Sequence, residues 1–568
     1  MHRGVGVHAD VLVVGAGPTG MLLAIELARQ GLSVRIIDLG TGPTQVSKAQ
    51  VIQARTLEIL DQLGIVGRFL EHGRPLHRLS MYSPEMERLF HIDVGEPDSQ
   101  YPFMLNLPQR ETELLLAEHL GRLGVCIDRQ MQLIDLRQDD REVIALVQHV
   151  GSQAMEELHA AWLVGCDGVH STVRGALGLA FSGSTYAHRV LQADMRIDWP
   201  LQHADDEIVG FASQHGPLGA FPLPGEHRYR LLTFDAGLAP SLENFQFLLD
   251  TRGPKGAYAS CPTWMAEYTI HCRMVSEFRV GRVFLAGDAA HSFSPATGQG
   301  MNCGMQDAHN LAWKLALVHK GLGRLSVLDS YAAERAPATR ALLQITDSAT
   351  RGLQELLTLF NPVARELGHR LLRFVASLGL VQHRVSRSLS MLDVGYHKSP
   401  LVDQNHEARA VMGDEAGEPI SLHAWLDFER GPEPGERAFD GPLVDISGRG
   451  VQWLFQLFSG SKHTLLLFIG TKDSDMSYDR LTDIERWAYG RYPEQLETYL
   501  VQIVPRPDEP RLVPREGPLL FDRHGVLHHA YGASSECLYL IRPDGYVGYR
   551  AQPAERQRFS DYLVQLFN

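Results

Sequence analysis

Three acidic residues of the 568-residue chain share one setting, because Asp38, Asp167 and Asp288 each follow an apolar, strand-like run and lie close to glycines. A carboxylate at the end of a strand can accept hydrogen bonds from the hydroxyl groups of a bound molecule. The exposed N–H groups and positive dipole end of a helix that follows a glycine turn favour negative charge. The acids at residues 38 and 288, with their neighbouring glycines, are therefore suited to a polar cofactor, whereas the role of Asp167 depends on its context.

The segment around Asp288 is the organising feature of the sequence. Residues 281–286 are typical of a buried strand, and residues 305–314 of a helix whose N-terminus lies at the glycines of residues 298–302. Strand, turn and helix with glycines are common in α/β proteins. The meaning of this segment therefore depends on the sequence upstream.

The first 38 residues supply that context. The apolar run 10–14 is followed by G-x-G-x-x-G at residues 15–20, a helix over 21–30, and a second strand ending in Asp38. An acid about 20 residues after the glycines is the usual spacing of a dinucleotide-binding β-α-β unit. The glycines permit a tight turn and close approach of the backbone to a pyrophosphate, and Asp38 can bind a ribose hydroxyl.

Three other polar residues have two interpretations each. Arg55, on an amphipathic helix over 53–64, could face a phosphate or only solvent. Gln109, at the start of a helix that runs to residue 121, could reach a cofactor or only cap the backbone. Asp167 and Gly168, taken alone, are an ordinary turn signature after an apolar strand.

The pattern of elements predicts several domains, as the length also favours. Strand-like runs separated by Pro and Gly predict an antiparallel sheet inserted between two cofactor-binding parts, where it could form a wall of the substrate pocket. A helical region, a linker rich in Pro, Gly and acids, and an α/β tail follow it. The expected boundaries are 1–184 for the first cofactor-binding part, 185–272 for the sheet, 273–392 for the second part with the helices, 393–445 for the linker and 446–568 for the tail.

The composition narrows the class of protein. With 44% apolar and 21% charged residues the chain is an ordinary globular protein, and its net charge of -14 argues against nucleic acid or an anionic membrane as a partner. No apolar run approaches the roughly 18 residues of a membrane span. The six cysteines show neither C-x-x-C nor metal-ligand spacing, so we expect reduced thiols in a cytoplasmic protein and no metal site.

The three motifs, at these separations, resemble the class A, single-component FAD-dependent aromatic hydroxylases. The tail, with Arg-Pro-Asp-Gly at residues 542–545, is similar to the thioredoxin-like C-terminal domain of the phenol hydroxylase branch. The resemblance implies an α/β fold: a Rossmann-like FAD-binding domain with an inserted antiparallel-sheet substrate domain, plus a C-terminal thioredoxin-like α/β domain. The tail lacks the C-x-x-C needed for thiol–disulfide exchange, so we expect a structural role, and a contribution to a homodimer stays open.

The resemblance also implies which residues bind cofactors. The glycines of residues 15–20 would cradle the FAD pyrophosphate, and Asp38 would bind the adenosine ribose where the family more often has Glu. Lys48 stands where many relatives have Arg, so it keeps the charge but loses the fork geometry. Asp167 and Gly168 match a motif associated with both FAD and NAD(P)H, Asp288 would bind the ribityl or pyrophosphate region, and residues 298–302 would lie against the isoalloxazine. The complete set is Gly15, Gly17, Gly20, Asp38, Lys48, Gln109, Asp167, Gly168, Gly287, Asp288, Pro295, Gly298, Gly300, Met301 and Asn302.

The activity implied is that of an FAD-dependent monooxygenase. NAD(P)H would reduce the flavin, O2 would form a C4a-hydroperoxide, and a phenolic or polycyclic aromatic ring would receive one oxygen atom. No catalytic residue is assigned, although His215, Tyr229 and His271 are candidate bases. Epoxidation, ring cleavage or decarboxylative hydroxylation of a natural-product intermediate stays open, as does a non-catalytic protein that retains FAD and binds a ligand. The substrate, the ring position, the choice of NADH or NADPH and the oligomeric state are not set by the sequence.

Overall fold

The computed structural model of the chain has two compact units. It describes residues 9–45, 49–83, 85–94, 98–200, 206–213, 215–234, 237–294, 298–358, 379–406, 420–445, 451–458, 460–471, 475–503 and 518–568. Unit 1 comprises Met1–Leu60, Ile65–His309 and Thr339–Leu392, and unit 2 comprises Asp61–Gly64, Asn310–Ala338 and Asp393–Asn568. No helix in these described ranges is both long enough and apolar enough to cross a membrane.

The helices vary from single turns to eight turns. The described α-helices are α1 (Pro18–Arg29), α2 (Ala54–Gln62), α3 (Val66–His72), α4 (Gln109–Arg122), α5 (Thr172–Ala176), α6 (Leu242–Arg252), α7 (Gly300–His319), α8 (Asp329–Thr358), α9 (Gly379–Ser390), α10 (Leu422–Glu429), α11 (Asp475–Arg491), α12 (Val526–Ala530) and α13 (Arg556–Leu566). Short 3-10 helices cover Gly287–Ala289, Leu325–Leu328 and Leu454–Phe458.

The first sheet of unit 1 is the Rossmann-like sheet that the sequence predicted. Its strands are β1 (Ala9–Val14), β2 (Val34–Asp38), β8 (Ile127–Arg129), β9 (Met131–Gln138), β10 (Val143–His149), β11 (Met155–Gly165), β17 (Arg279–Val280) and β18 (Val283–Leu285). The strands β18, β11, β1, β2 and β8 are parallel neighbours in that order. Their carboxyl ends share one edge of the sheet, which is where ligands bind in such folds. The ends of β2, β11 and β18 therefore bring Asp38, Asp167 and Asp288 to the same edge.

The second sheet of unit 1 is the predicted, mainly antiparallel one. Its strands are β5 (Arg78–Tyr82), β6 (Arg88–Asp93), β12 (Phe181–Asp198), β13 (Glu207–Phe211), β14 (Leu218–Pro222), β15 (Arg228–Phe234), β16 (Tyr258–Val275) and β19 (His291–Ser292). They lie in the order β19-β16-β12-β15-β14-β13-β5-β6, and the β13–β5 pair is parallel. Strands β5 and β6 thus join this sheet from far upstream, which no local pattern predicts. A small third sheet contains β3 (Val51–Ile52), β4 (Arg74–Leu76) and β7 (Met104–Asn106).

Unit 2 is built around one mixed sheet. Its strands are β20 (Asp403–Asn405), β21 (Pro442–Asp445), β22 (Val451–Trp453), β23 (His463–Phe468), β24 (Leu496–Gln502), β25 (Leu519–Phe521), β26 (Cys537–Ile541) and β27 (Val547–Ala551). Two apolar clusters form its core. Cys537 is fully buried in β26, and burial raises the pKa of its thiol, as suits an unreactive side chain. The thioredoxin-like identity of this region stays a prediction.

Buried charges in unit 2 join the 542–545 motif to α7 and α8. Arg542 donates to both carboxylate oxygens of Glu334, at 2.7 and 2.9 Å, and also pairs with Asp544. Lys314 donates to Glu334 at 2.6 Å, and all four side chains are at most 1% exposed. Burial alone would raise the pKa of Glu334, but Arg542 and Lys314 outweigh burial and lower it. The same burial lowers the pKa of Lys314 to about 8, with Glu334 opposing the change.

We expect Glu334→Gln to lower the free energy of unfolding of this unit by about 3–5 kcal/mol at neutral pH, because it leaves the buried Lys314 without its carboxylate partner and Arg542 with Asp544 alone. A carboxyl whose pKa is lowered by folding stabilises above its unfolded pKa of 4.5 and loses that contribution at lower pH. The difference between wild type and variant should therefore narrow as the pH falls below 4.5. Urea unfolding monitored by tryptophan fluorescence at several pH values measures this difference in unfolding free energy.

Asp483→Asn is the matched control, because Asp483 pairs with Arg556 while both side chains are more than half exposed. Exposed pairs contribute at most about 1 kcal/mol. Equal destabilisation by the two variants would contradict the role given to the buried cluster.

Candidate functional site

The three motifs meet through backbone contacts that only glycine permits. A Cβ atom at Gly15 would clash with the carbonyl of Cys166 and lie 2.8 Å from the Cα of Asp167. A Cβ atom at Gly20 would clash with the carbonyl of Gly15. Gly15 also has φ +105°, a conformation that side chains rarely adopt. The loop of residues 15–20 is therefore packed directly against the turn after β11.

Gly17 is different, because contacts with the rest of the protein do not explain why a glycine stands at this position. Its backbone is extended, with φ -79° and ψ -178°, and a Cβ atom there would have no neighbour within 4 Å among the residues that the structure describes. No side chain caps the start of α1, its first turn has no acid, and Pro18 occupies the first turn, where a proline is well tolerated. The N-terminus of α1 thus has an open approach for a negatively charged ligand.

Thr19 joins the first motif to the third. A Cβ atom at Gly287, which has φ +60°, would lie 2.6 Å from Thr19 Oγ1, and one at Gly304 would clash with the same oxygen. The 3-10 turn that follows β18 and the first turns of α1 and α7 are therefore in close contact. Within that 3-10 turn the side chain of Asp288 is exposed, whereas Gly287 and Ala289 are buried.

A buried ion pair holds the Gly287 turn. Asp307 Oδ2 accepts a hydrogen bond from the Gly287 N–H at 2.9 Å and another from His291 Nε2 at 2.6 Å, and neither Asp307 nor His291 is exposed. Burial alone would lower the pKa of His291, but Asp307 and Cys303 outweigh burial and raise it to about 10. Sequence reasoning gave no role to Asp307, because no spacing rule relates a residue in the second turn of a helix to the preceding strand.

Asp38 binds the glycine loop as well as facing the sheet edge. Its Oδ2 accepts from the Ala16 N–H at 2.6 Å, and its Oδ1 accepts from the Gly40 N–H at 2.7 Å. Arg129 Nη1, at the end of β8, lies 3.3 Å from Oδ1. The side chain of Asp38 is 20% exposed, so the carboxylate that organises the loop also keeps a face open to a ligand hydroxyl.

The side-chain amides of Gln109 and Asn302 both form hydrogen bonds with the segment of residues 49–53. Gln109 Oε1 accepts from the Ala49 N–H at 3.2 Å, and its Nε2 donates to Glu113 at 2.9 Å. Asn302 Nδ2 donates to the Val51 carbonyl at 2.8 Å, and Asn302 Oδ1 accepts from the Gln53 N–H at 2.9 Å. The two amides thus position this segment beside the starts of α4 and α7.

The Gly298 turn and the start of α7 also contact the segment of residues 49–53. Gly298 has φ +65°, and a Cβ atom there would lie 3.3 Å from the Val51 side chain. The helix begins at Gly300 and runs for 20 residues, with half-buried Met301 in its first turn. Of the predicted site residues, Lys48 and Pro295 lie outside the described ranges.

The carboxylate of Asp167 holds its own turn. Oδ1 accepts from Ser171 Oγ at 2.5 Å, and Oδ2 accepts from the backbone N–H groups of Thr172 and Val173 at 2.7 and 3.1 Å. Burial raises the pKa of Asp167, and these hydrogen bonds oppose the rise. Gly168 follows with φ +78°, so the pair shapes the turn at the end of β11.

Arg55 and the three candidate bases lie in surroundings that differ from the glycine-lined sheet edge. Arg55 is 1% exposed and pairs with Glu58 at 2.9 Å, so it is not a solvated surface residue. Tyr229 lies in the core between the second sheet and α6. His271 forms a hydrogen bond through Nδ1 to a threonine on β12, at 3.0 Å, and His215 is exposed.

Comparison with known proteins identifies the group to which this geometry belongs. Residues 8–346 match the family model FAD_binding_3, described as an FAD binding domain. The chain is 35% identical over 549 residues to 6-methylpretetramide 4-monooxygenase of Streptomyces rimosus, which covers 96% of this chain and 91% of that protein. It is 30% identical to pentachlorophenol 4-monooxygenase of Sphingobium chlorophenolicum, with 96% and 95% covered. Among solved structures, OxyS anhydrotetracycline hydroxylase from Streptomyces rimosus is similar, with a TM-score of 0.71 and 28% identity over 98% of this chain and 99% of that one.

The residues at the sheet edge fit FAD. The N-terminus of α1 suits a diphosphate, because Gly17 leaves space that no atom in the described part of the chain fills. Asp38 and Asp288 offer carboxylates with exposed surface at the same edge, which suits the hydroxyl groups of ribose and ribitol. The polar groups and the empty approach therefore match the two halves of this cofactor.

We expect Gly17→Val to fold and to lose FAD. The extended backbone accepts valine, and the side chain meets no protein atom, so the protein should lose only about 1 kcal/mol of stability. The same side chain would occupy the approach to α1, and flavin content after purification should fall about tenfold, as a loss of roughly 1.4 kcal/mol of binding free energy produces. Asp288→Ala should lower the flavin content in the same assay.

Gly121→Ala is the control, because a Cβ atom at this position in α4 also meets nothing within 4 Å. It should retain FAD and gain about 0.5–1 kcal/mol of stability, since alanine is the better helix former. Full flavin content in both Gly17→Val and Asp288→Ala would show that the cofactor is placed wrongly.

Asp307→Asn should destabilise the protein most strongly at acidic to neutral pH. A histidine whose pKa is raised from 6.5 to about 10 stabilises fully below its unfolded pKa and loses that contribution as the pH rises through the folded value. The difference in unfolding free energy between wild type and variant should therefore be largest below pH 6.5 and narrow towards pH 10. A difference that is independent of pH would contradict the ion pair.

Fold, site and relatives agree on one assignment. A parallel sheet with an open helix start and acids at its carboxyl edge is joined to an antiparallel sheet, and the cofactor of this arrangement is FAD. Relatives that span nearly the whole chain are named monooxygenases of phenolic and polycyclic compounds. The chain therefore belongs to the FAD_binding_3 family and is an FAD-dependent monooxygenase of the aromatic hydroxylase group.

Proposed function

We propose that the protein hydroxylates a phenolic or polycyclic aromatic compound with NAD(P)H and O2, by oxygen transfer from a flavin C4a-hydroperoxide. The observation that carries the proposal is similarity along almost the whole chain to enzymes named for 6-methylpretetramide, pentachlorophenol and anhydrotetracycline. All three names denote ring systems that carry hydroxyl groups. A substrate of the same class is the simplest expectation for this chain.

The parallel-sheet edge holds the cofactor in this proposal. The FAD diphosphate lies at the start of α1 beside Gly15, Gly17 and Gly20, and Asp38 binds the adenosine ribose. Asp288 binds the ribityl chain or the diphosphate. Lys48 supplies a positive charge toward a phosphate, and Asp167 with Gly168 shapes the turn between these groups and the approach of the nicotinamide.

The start of α7 acts on the reactive ring. Gly298, Gly300 and Met301 face the isoalloxazine, and Asn302 fixes the helix start to the segment of residues 49–53 through its two hydrogen bonds. The positive end of a 20-residue helix favours negative charge at the pyrimidine edge of the ring. When bound, FAD supplies the electron transfer and oxygen chemistry, while the protein orients the ring, stabilises charge and excludes water.

Anaerobic stopped-flow reduction of the purified flavoprotein tests the function. We expect a substrate in a panel of mono- and polycyclic phenols to accelerate flavin reduction by NADH or NADPH by at least about tenfold, equivalent to roughly 1.4 kcal/mol of barrier. Aerobic turnover should then give a product heavier by one oxygen atom. The same panel with each nicotinamide separates NADH from NADPH preference.

Two outcomes would contradict the proposal. A yellow protein that oxidises neither nicotinamide with any aromatic compound would be a flavin-retaining binding protein. A product that has lost carbon, or whose ring is opened, would keep the monooxygenase and replace hydroxylation with decarboxylative or ring-cleaving chemistry.

A further inference from the structure

The two faces of the second sheet differ in chemistry. On one face Leu191, Ala193, Leu231 and their neighbours are at most 1% exposed and pack against α6. Side chains alternate along a strand, so the residues between them point to the opposite face. There β12 and β15 present Gln192, Asp194, Arg230 and Leu232 instead of a continuous apolar layer.

Strand register arranges that second face in three rows. In the first row Phe221, Arg230, Asp194 and Trp264 are direct neighbours across β14, β15, β12 and β16. The next row contains Gly219, Leu232, Gln192 and Ala266, and the third contains Phe234, Val190 and Tyr268. The small residues Gly219 and Ala266 end the middle row, so the aromatic side chains of the outer rows border a shallower strip.

The large apolar side chains of these rows are not fully covered. Phe221, Leu232, Phe234, Trp264 and Tyr268 all keep partial exposure, although Leu232, Phe234 and Tyr268 also pack against the buried Val190 and Ile270. Partly exposed aromatic side chains that border a polar strip are typical of a small-molecule site. Their rings suit stacking against a flat aromatic compound.

The charges on this face cancel. Arg230, which is fully buried, donates from Nε and Nη2 to the two oxygens of Asp194 at 2.5 and 2.7 Å. Its Nη1 lies 3.4 Å from the Ala49 carbonyl. The planar fork of the guanidinium is therefore already engaged by a carboxylate, and a second carboxylate would find no unpaired cation there. Burying an unpaired carboxylate is unfavourable.

Neutral hydrogen-bonding groups lie beside this pair. The Tyr268 hydroxyl donates to Gln192 Oε1 at 3.1 Å, which leaves the lone pairs of its oxygen as acceptors for a ligand hydroxyl. Burial raises the pKa of Tyr268, with Arg230 opposing the rise, so the hydroxyl stays protonated at neutral pH. Tyr268 is thus suited to an uncharged phenol, and Gln192, which is 1% exposed, holds its hydroxyl.

The family resemblance already implies that this sheet forms the substrate wall; we infer that, in this chain, the wall takes an uncharged phenolic ring system and disfavours an aromatic carboxylate. The inference deepens the proposed function and depends on it for the identity of the substrate. The ring stacks between the outer aromatic rows, and its hydroxyl donates to Tyr268. Asp194 acts as a specificity residue, because it neutralises Arg230 before a ligand arrives.

Titration of the oxidised holoprotein, without nicotinamide, tests the inference through the change in the flavin spectrum. The probes are 2-naphthol, naphthalene and 6-hydroxy-2-naphthoate. We expect 2-naphthol to bind at least about tenfold more tightly than the naphthoate, a difference of roughly 1.4 kcal/mol. Tyr268→Phe should weaken 2-naphthol about fivefold, the effect of one hydrogen bond, and leave naphthalene unchanged.

Asp194→Asn should reverse the preference, because it frees the charge of Arg230 while the amide can still accept a hydrogen bond. Glu267→Gln is the matched control: Glu267 is in β16, opposite Leu191 on the α6 side, and pairs with Arg189. Glu267→Gln should change neither the affinity for 2-naphthol nor that for 6-hydroxy-2-naphthoate. If Asp194→Asn does not fold, Tyr268→Phe and the comparison of probes with the wild type still test the inference.

Equal or tighter binding of the naphthoate by the wild type would overturn the inference. So would the absence of saturable binding by any probe, or a Tyr268→Phe variant that binds 2-naphthol as the wild type does. The titration needs no turnover. A protein that shows the expected binding but oxidises no nicotinamide would refute the proposed function alone, and one that hydroxylates carboxylated aromatics as readily as neutral ones would refute this inference alone.

Discussion

The structure depends on close approach between backbones at the carboxyl edge of the parallel sheet. Gly15 and Gly20 let the first loop lie directly on the turn after β11, and Gly287 and Gly304 let Thr19 reach the third motif. A Cβ atom at Gly15 or Gly20 would meet backbone atoms and force these segments apart, and one at Gly287 or Gly304 would clash with the Thr19 side chain. Three segments separated by well over a hundred residues are thereby held as one ligand-binding edge.

A second constraint links that edge to the antiparallel sheet. In the segment of residues 49–53, the Ala49 N–H donates to Gln109 on α4 and the Val51 carbonyl accepts from Asn302 on α7. The Ala49 carbonyl also faces Arg230. Arg230 belongs to the sheet face that we assign to the substrate. The cofactor and substrate walls that we propose therefore share one short stretch of backbone, so each would limit the positions available to the other.

The parts of this protein that were predictable from sequence are those in which spacing and residue type are local. The 15–20 glycines, the strand before Asp38 and the turn at Asp288 were predictable because β-α-β units and strand–turn–helix segments have a fixed local pattern. The role of Gln109 could not be separated from backbone capping, since an amide at a helix start suits both. Asp307, Thr19 and the Arg230–Asp194 pair were not predictable, because each acquires its partner only through strand register or helix packing. The pairing of β5 with β13, from residues far apart in the chain, belongs to the same class.

The contrast between Gly17 and its neighbours has a consequence for the apoprotein. Contacts with the protein itself determine the loop shape at Gly15 and Gly20, whereas a Cβ atom at Gly17 would meet no described residue within 4 Å. The packing of the protein therefore sets the shape of this loop, and a ligand bound there need not supply the contacts that order it. A loop whose shape is set in this way lowers the entropic cost of binding and so favours tight retention of its ligand.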